Sequence, residues 1–484
     1  MSAGAATPSP PGQAPVPAAP ARPTVSRVAT LALALGIWFW PVPDGLTLPA
    51  WHLFALFAAA IFSVVVGAFP ILTSAVVALA AAVLTGTLPA AKAYSGFANP
   101  TILLIVVAFL VARAVVTCGL GARIGHWAVS LFGRSTLGLS YSLFLVDGVI
   151  APAFPSNTAR SGVLYALAFS LSEAAGARPG DESRRRLGGF LMFSGMASLS
   201  VSSALWLTAM AANPLGTEIA RNFGVNISFG SWLVASSVPT LAAMALLPLF
   251  LYRVIGPEVT ATPEAPAAAR KALAALGPFT APEKIVAVTF AGMVALWGAA
   301  GSLGLDSTAV ALLGLGVLLA TNVLTGADIA KEGDVLATYL WFASLFTLSA
   351  QLNEMGFMAF LGERLAGAMG GLPWLWAGLI LLLAYILLHY LFVSQTAHLL
   401  ALFGVFLDVG VKLGVPAAPF AFLLLFATNF FSAITPQASS ANLLFAGSGY
   451  LSQKELYRLG LMTTAFNLLI YLVVGVPWLA LVTR

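Results

Sequence analysis

Charged side chains are scarce in this sequence. Lys, Arg, Asp and Glu together make up 8% of its 484 residues, against about 25% in soluble domains. A soluble fold of this length could not cover its surface with so few charges. With 60% hydrophobic residues, the composition excludes a soluble enzyme, a disordered scaffold and a nucleic-acid binder. The net charge of +5 does not argue otherwise, because the basic residues sit in short loops between apolar runs. Cysteine is nearly absent: Cys118 alone excludes an intramolecular disulfide framework and a Cys-rich metal site. The four histidines, His52, His126, His389 and His398, form no closely spaced ligand set of the kind a metal centre uses. No acidic residue precedes Asp44. Residues 1–25 are rich in Ala and Pro and lack a long apolar core, so they do not read as a secretory signal. A disordered tail is expected there, with a transit peptide as the alternative.

What the sequence does have is long apolar runs. A membrane-spanning helix needs ~20 such residues, and the runs from residue 27 to residue 482 define an all-α polytopic membrane protein. Two runs, 137–174 and 373–413, are too long and too broken to be simple spans. One is interrupted at Ala151-Pro152-Ala153-Phe154-Pro155, the other around Val393-Ser394-Gln395. Backbone released from a helix at membrane depth must be buried in protein or line a watery cavity, and both segments are expected to be re-entrant hairpins. Arg178, Arg184, Arg185 and Arg186 fill one loop; Arg253, Arg270, Lys271 and Lys284 fill the next long one. The positive-inside rule places these loops and the N-terminus in the cytoplasm and the C-terminus outside.

The two broken segments align with each other. Phe154-Pro155-Ser156-Asn157-Thr158-Ala159-Arg160 matches Phe392-Val393-Ser394-Gln395-Thr396-Ala397-His398. A second pair trails them, Ser203 through Asn213-Pro214 and Thr435-Pro436 through Asn442. Interrupted segments at corresponding places in two halves are a sequence pointer to a transporter's binding site. The chemistry suits an anion: Ser, Asn, Gln and Thr supply neutral donors, and a helix starting at each tip aims free N–H groups and its positive dipole end at a carboxylate. Carbonyls freed at the breaks can coordinate Na⁺ where the geometry allows.

At these residues the sequence resembles the divalent anion:sodium symporter family, whose signature is a pair of Ser-Asn-Thr motifs at hairpin tips. Ser156-Asn157-Thr158 matches the first motif, and Ser394-Gln395-Thr396 matches the second with Gln in place of Asn. The look is that of the exchanger branch, similar to plastid 2-oxoglutarate/malate translocators and bacterial citrate or tartrate/succinate antiporters. Pro41 to Gly45, Ala151 to Gly162, Phe190 to Leu215, Trp341-Phe342-Ala343 and Gly447 to Tyr450 carry the likeness. The resemblance implies an inverted-repeat transporter of the ion-transporter superfamily, with about 11 transmembrane helices and two re-entrant hairpins, working as an elevator-type homodimer. It implies that Ser156, Asn157, Thr158, Ser394, Gln395 and Thr396 contact substrate carboxylates, with Asn213, Pro214, Thr435 and Pro436 near the segments that complete the pocket. The Gln at 395 puts a second Na⁺ site in doubt and leans towards exchange, while the region around Ser156 and Asn157 leaves room for one Na⁺.

Arg160 and His398 occupy equivalent repeat positions, and either contacts a further substrate carboxylate or caps a domain edge; His398 also has the chemistry to sense protonation near neutral pH. For Asp147, pairing with a nearby polar group is the favoured reading over a coupling role. Asp408 and Lys412 have the spacing of an intrahelical ion pair. Arg113 and Glu354 read as span-end or interdomain charges, and Gly119 through Arg134 as an amphipathic stretch along the membrane surface. The expected organisation is a tail at 1–25, a first repeat at 26–240 with its hairpin at 137–174, a cytoplasmic linker at 241–283, and a second repeat at 284–484 with its hairpin at 373–413. The expected function is carriage of di- or tricarboxylates (2-oxoglutarate, malate, succinate, citrate) across a bacterial inner membrane, by antiport or alternatively by sodium-coupled symport, with no chemical bond made and no cofactor beyond a coupling Na⁺.

Overall fold

The computed structural model describes residues 23–483; the expected tail lies largely outside them. The described chain is helical almost throughout, and it repeats one element order twice.

Three helices come first: α1 (Pro23–Trp38), α2 (Leu48–Val65) and α3 (Ile71–Leu84). The first copy of the repeat then begins with α4 (Pro100–Thr117), capped by Asn99, whose side chain accepts from Thr101 N and Ile102 N. Gly119, at φ 83°, turns the chain into α5 (Leu120–Phe132). The first hairpin follows as α6 (Thr136–Ile150) and α7 (Asn157–Ala174), joined by a 3₁₀ turn at Ala151–Ala153. Next come α8 (Gly188–Leu205), buried along its whole length, then a second break and the short α9 (Ala212–Arg221). Helix α10 (Phe229–Ile255) ends this copy and runs unbroken across residue 240. Residues 256–280, with α11 (Ala265–Ala275), lead to α12 (Ala281–Leu303) and α13 (Ser307–Ala320).

The second copy repeats the order. Helix α14 (Gly333–Glu354) stands where α4 stood. Gly356, at φ 82°, turns the chain as Gly119 does; the left-handed region is open to Gly without a Cβ penalty. Then come α15 (Phe357–Ala368), α16 (Trp374–Leu388), a 3₁₀ turn at His389–Leu391, and a second hairpin arm, α17. That arm starts at Gln395–His398, passes through a π-helical turn at Leu399–Phe403 and ends at Gly404–Lys412. Helix α18 (Ala417–Phe430), a break, α19 (Ser440–Ala446) and α20 (Gln453–Ile470, continuing to Val482) close the fold.

Among the described residues, nine helices are long and apolar enough to cross a membrane, and four shorter apolar helices accompany them. Two of the nine, Thr136–Ala153 and Trp374–Leu391, are first arms of the hairpins. Setting those aside leaves eleven candidate crossings, matching the expected count. The fold is that of an all-helical multi-span inverted-repeat membrane protein.

The matching breaks are built by matching bonds. Asn213 Nδ2 donates to Ser203 O at 2.9 Å and to Trp206 O at 3.2 Å. Asn442 Nδ2 donates to Ser432 O at 2.6 Å and to Thr435 O at 3.1 Å. Both asparagines reach back ten and seven residues and satisfy carbonyls that the interrupted helices leave free, as buried backbone groups require. Asn429 Nδ2 then donates to Asn213 Oδ1 at 2.9 Å, tying the two breaks together. Gly460 on α20 lies against the second break so closely that a Cβ there would come within 2.2 Å of Ala433 O.

Two charged features bear on the sequence expectation. Arg123, expected as a polar member of a surface stretch, is instead buried and pairs with Glu283 through two bonds, Nε to Oε1 at 2.7 Å and Nη2 to Oε2 at 3.1 Å. A fork-shaped guanidinium lets it hold a carboxylate this way, and the pair fastens α5 to the start of α12. Asp408 and Lys412 do make their i,i+4 pair, at 2.8 Å.

Candidate functional site

The two hairpin tips meet at a cavity of about 480 Å³. Each tip is a helix start capped by its own serine: Ser156 Oγ accepts from Ala159 N at 3.2 Å, and Ser394 Oγ accepts from Ala397 N at 3.3 Å. Phe154 and Phe392 hold extended backbone just before the caps, after the 3₁₀ turns. This geometry leaves the first N–H groups of α7 and α17 without intrahelical acceptors, next to the cavity, with both positive dipole ends towards it.

All six expected tip residues, Ser156, Asn157, Thr158, Ser394, Gln395 and Thr396, line the cavity. The tips also touch. Asn157 Nδ2 donates to Gln395 Oε1 at 3.2 Å, across a sequence separation of 238 residues. Gln395 Nε2 in turn donates to Thr428 O at 2.7 Å and to Asn429 O at 3.3 Å, at the end of α18. Thr158 Oγ1 and Ser440 Oγ are 2.6 Å apart.

The remaining expected residues stand behind the wall. Asn213, Pro214, Thr435 and Pro436 are outside the cavity lining; Asn213 shapes the break as described, and Thr435 Oγ1 is buried without a partner. Arg160 and His398 are not in the lining either, so the cavity does not present them to a substrate. Arg160 is fully buried, 3.2 Å from Asp147. Its Nη2 donates to Asn157 Oδ1 at 2.5 Å and its Nη1 to Ser202 Oγ at 3.2 Å, while Ser202 Oγ donates to Asp147 Oδ2 at 2.5 Å. The guanidinium therefore braces the first tip from behind. His398 sits in an aromatic box of Tyr385, His389, Phe392 and Phe431. Its Nδ1 is 3.3 Å from His389 Nδ1, and His389 Nε2 donates to Ala438 O at 2.9 Å. With that tautomer, His389 Nδ1 accepts and His398 Nδ1 donates. Thr208 Oγ1 donates to Pro152 O at 2.9 Å, so in both halves a side chain ties hairpin break to helix break.

Sequence reasoning missed part of the wall. Ser439 caps and Ser440 opens α19, Met210 and Ala211 precede α9, and Phe109 and Arg113 come from α4. Glu332, Asp334, Trp341 and Phe342 come from the α14 region. The repeat carried a signal for Ser439, Ser440, Met210 and Ala211, since all four fall inside the second matched pair of stretches, 203–214 and 435–442.

Fold and site together define a polytopic inverted-repeat carrier, whose cavity is set by two opposed hairpin tips. The chain belongs to the family described as "Sodium:sulfate symporter transmembrane region", whose model matches residues 22–483. That is a family of transporters and not of enzymes. The chain is 40% identical to the YflS protein of Bacillus subtilis, over 94% of this chain and 95% of that one. It is 38% identical to "Dicarboxylate transporter 1, chloroplastic" of Spinacia oleracea, over 93% of this chain and 80% of that one. With "Inner membrane protein YbhI" of Escherichia coli it shares 30% over 93% and 96%. Among solved structures, it matches the Neisseria gonorrhoeae protein MtrF with a TM-score of 0.54 at 14% identity, covering 94% of this chain and 96% of that one. The Alcanivorax borkumensis YdaH transporter matches with a TM-score of 0.50 at 18% identity, over 80% and 85%. These last two are likenesses of fold.

Proposed function

We propose that this chain exchanges one dicarboxylate for another across a bacterial inner membrane. The observation that carries the reading is the cavity where two capped helix starts face each other with neutral Ser, Asn, Gln and Thr side chains between them. Such a site offers N–H and O–H donors to the two ends of a short dianion without a charged residue at the tips to hold it too tightly. Malate, 2-oxoglutarate and succinate have that form, and citrate is a larger relative. The names of the chloroplastic relatives support the same substrate class.

Antiport is favoured over Na⁺ symport by what the tip amides already do. A Na⁺ near Ser156 and Asn157 fits poorly. Asn157 Oδ1 is taken by a guanidinium N–H, Ser156 Oγ is spent on a helix cap, and a positive charge stands directly behind. At the second tip, the carbonyls of Thr428 and Asn429 accept from Gln395 Nε2, so an N–H donor occupies oxygens that a cation would need. The carrier works by alternating access, with the hairpins, α8 to α10 and α18 to α20 moving as an elevator against the other helices in each protomer of a homodimer. The basic loops lie in the cytoplasm with the N-terminus, and the cavity, reaching the end of α4 and the start of α14, opens to that side.

Counterflow in proteoliposomes tests this. A panel of malate, 2-oxoglutarate, succinate, tartrate and citrate, with and without Na⁺, is expected to show saturable exchange that is indifferent to Na⁺. Uptake that requires Na⁺ sinks the antiport reading. Asn157→Ala and Thr396→Ala are each expected to abolish exchange with expression intact; wild-type exchange in both removes the hairpin tips as the site.

A further inference from the structure

The tips of the cavity are neutral, but its outer wall is not. Arg113, in the last turns of α4, is the one Lys, Arg or His among the lining residues. Glu332 and Asp334, at the start of α14, are the only carboxylates lining it. Arg113 Nε lies 3.0 Å from Glu332 Oε1, with the two side chains 42% and 22% exposed. The contact is one of charge and not of direction, because Arg113 Nε makes no hydrogen bond.

We propose that Arg113 is a capture residue, exchanged between Glu332 and a substrate carboxylate as the dianion passes the mouth of the cavity. The inference rests on the carboxylate-carrier reading above. A partly exposed ion pair is worth about 0–1 kcal/mol, so an arriving dianion competes for Arg113 on equal terms. The guanidinium fork matches a carboxylate through two parallel bonds, and Arg113 has donors to offer. Without that exchange the mouth opposes its own substrate, since two carboxylates there face one guanidinium. With it, Glu332 also acts in release, taking Arg113 back when the substrate leaves, which keeps the dianion from being held at the mouth. Selection for charge then happens at the mouth, and recognition of shape happens deeper, at the tips. Both Arg113 and Glu332 lie outside the hairpins and the helix breaks, on the part of the molecule that stays fixed in the carrier reading.

The test is counterflow kinetics of malate in proteoliposomes of the full chain, for wild type, Arg113→Gln, Glu332→Gln and the double variant. Arg113→Gln is expected to raise KM about tenfold and to remove most of its dependence on ionic strength, as loss of a rim charge does. Glu332→Gln is expected to lower KM about threefold, a gain that a folding defect cannot produce. The double variant is expected to match Arg113→Gln alone, because Glu332 acts through Arg113; such non-additivity marks a shared interaction. An unchanged or raised KM in Glu332→Gln overturns the proposal, as does additivity in the double variant. If wild type exchanges no dicarboxylate, the carrier reading falls and takes this proposal with it. If wild type exchanges malate and the variants match it, only the proposal falls.

Discussion

The buried Arg160–Asp147 pair gives the sharpest test of how the first tip is held. Both side chains are fully buried, bridged by Ser202 and joined to the cavity through Asn157 Oδ1. Asp147→Ala removes the partner and leaves a guanidinium without its counter-charge, an effect of about 3–5 kcal/mol. At ~2.1 cal/mol/K of unfolding entropy per residue, a chain of this length shifts its melting temperature by about 1 °C per kcal/mol, so the apparent Tm in detergent is expected to fall by roughly 3–5 °C. Replacing both charges by apolar residues, Asp147→Ala with Arg160→Met, removes the buried ions together. Such replacements are often neutral, and the double variant is expected to regain most of the lost Tm. Exchange activity separates the roles: it is expected to stay lost in the double variant, because Asn157 no longer has Arg160 to fix its amide at the cavity wall. The assays are thermal unfolding followed by intrinsic tryptophan fluorescence and malate counterflow on the same preparations. A single Asp147→Ala variant that melts with wild type refutes the reasoning about the pair. A stable double variant with normal exchange refutes the bracing of the tip.

Three further outcomes are expected. Thr158→Ala or Ser440→Ala removes the 2.6 Å hydroxyl contact across the cavity; at about 1 kcal/mol, either raises the KM for malate roughly fivefold with Tm unchanged, and a shift of KM under twofold in both counts against it. Gly460→Ala places a methyl group within 2.2 Å of Ala433 O. Overpacking of this kind costs about 1–3 kcal/mol, and the variant is expected to lower Tm and exchange rate together, where a silent variant refutes the packing argument. Asn442→Ala strips two carbonyls of their donor, at about 1–3 kcal/mol for buried groups left unpaired, and Asn213→Ala is expected to do as much in the other half; unfolding measurements on both check the equivalence.

Much of this architecture was legible from particular residues. Pro152 and Pro155 announced the first break, and Ser156-Asn157-Thr158 with Ser394-Gln395-Thr396 located both tips, because a broken helix in a membrane needs polar caps and few residue types supply them. The preference for pairing Asp147 pointed to a polar neighbour, but not to which one. Asp147 and Arg160 lie on opposite arms of a hairpin, and only the fold brings them to 3.2 Å. The same limit hid the outer wall. Arg113, Glu332 and Asp334 come from helices more than two hundred residues apart in the chain, and nothing in their local sequence distinguishes them from ordinary span-end charges. Arg123 misled because its periodicity suits a surface helix, while its partner Glu283 sits 160 residues further on, past the end of the first repeat copy.

The asparagine clamps at the two helix breaks bear on how such a molecule moves. An interrupted helix is often taken for a hinge, but here each interruption is laced to itself by one amide and to its counterpart by Asn429. That makes each an elbow set in plaster. In the alternating-access cycle proposed above, the motion would be borne by the connections around these rigid corners, and the corners themselves would travel as cargo.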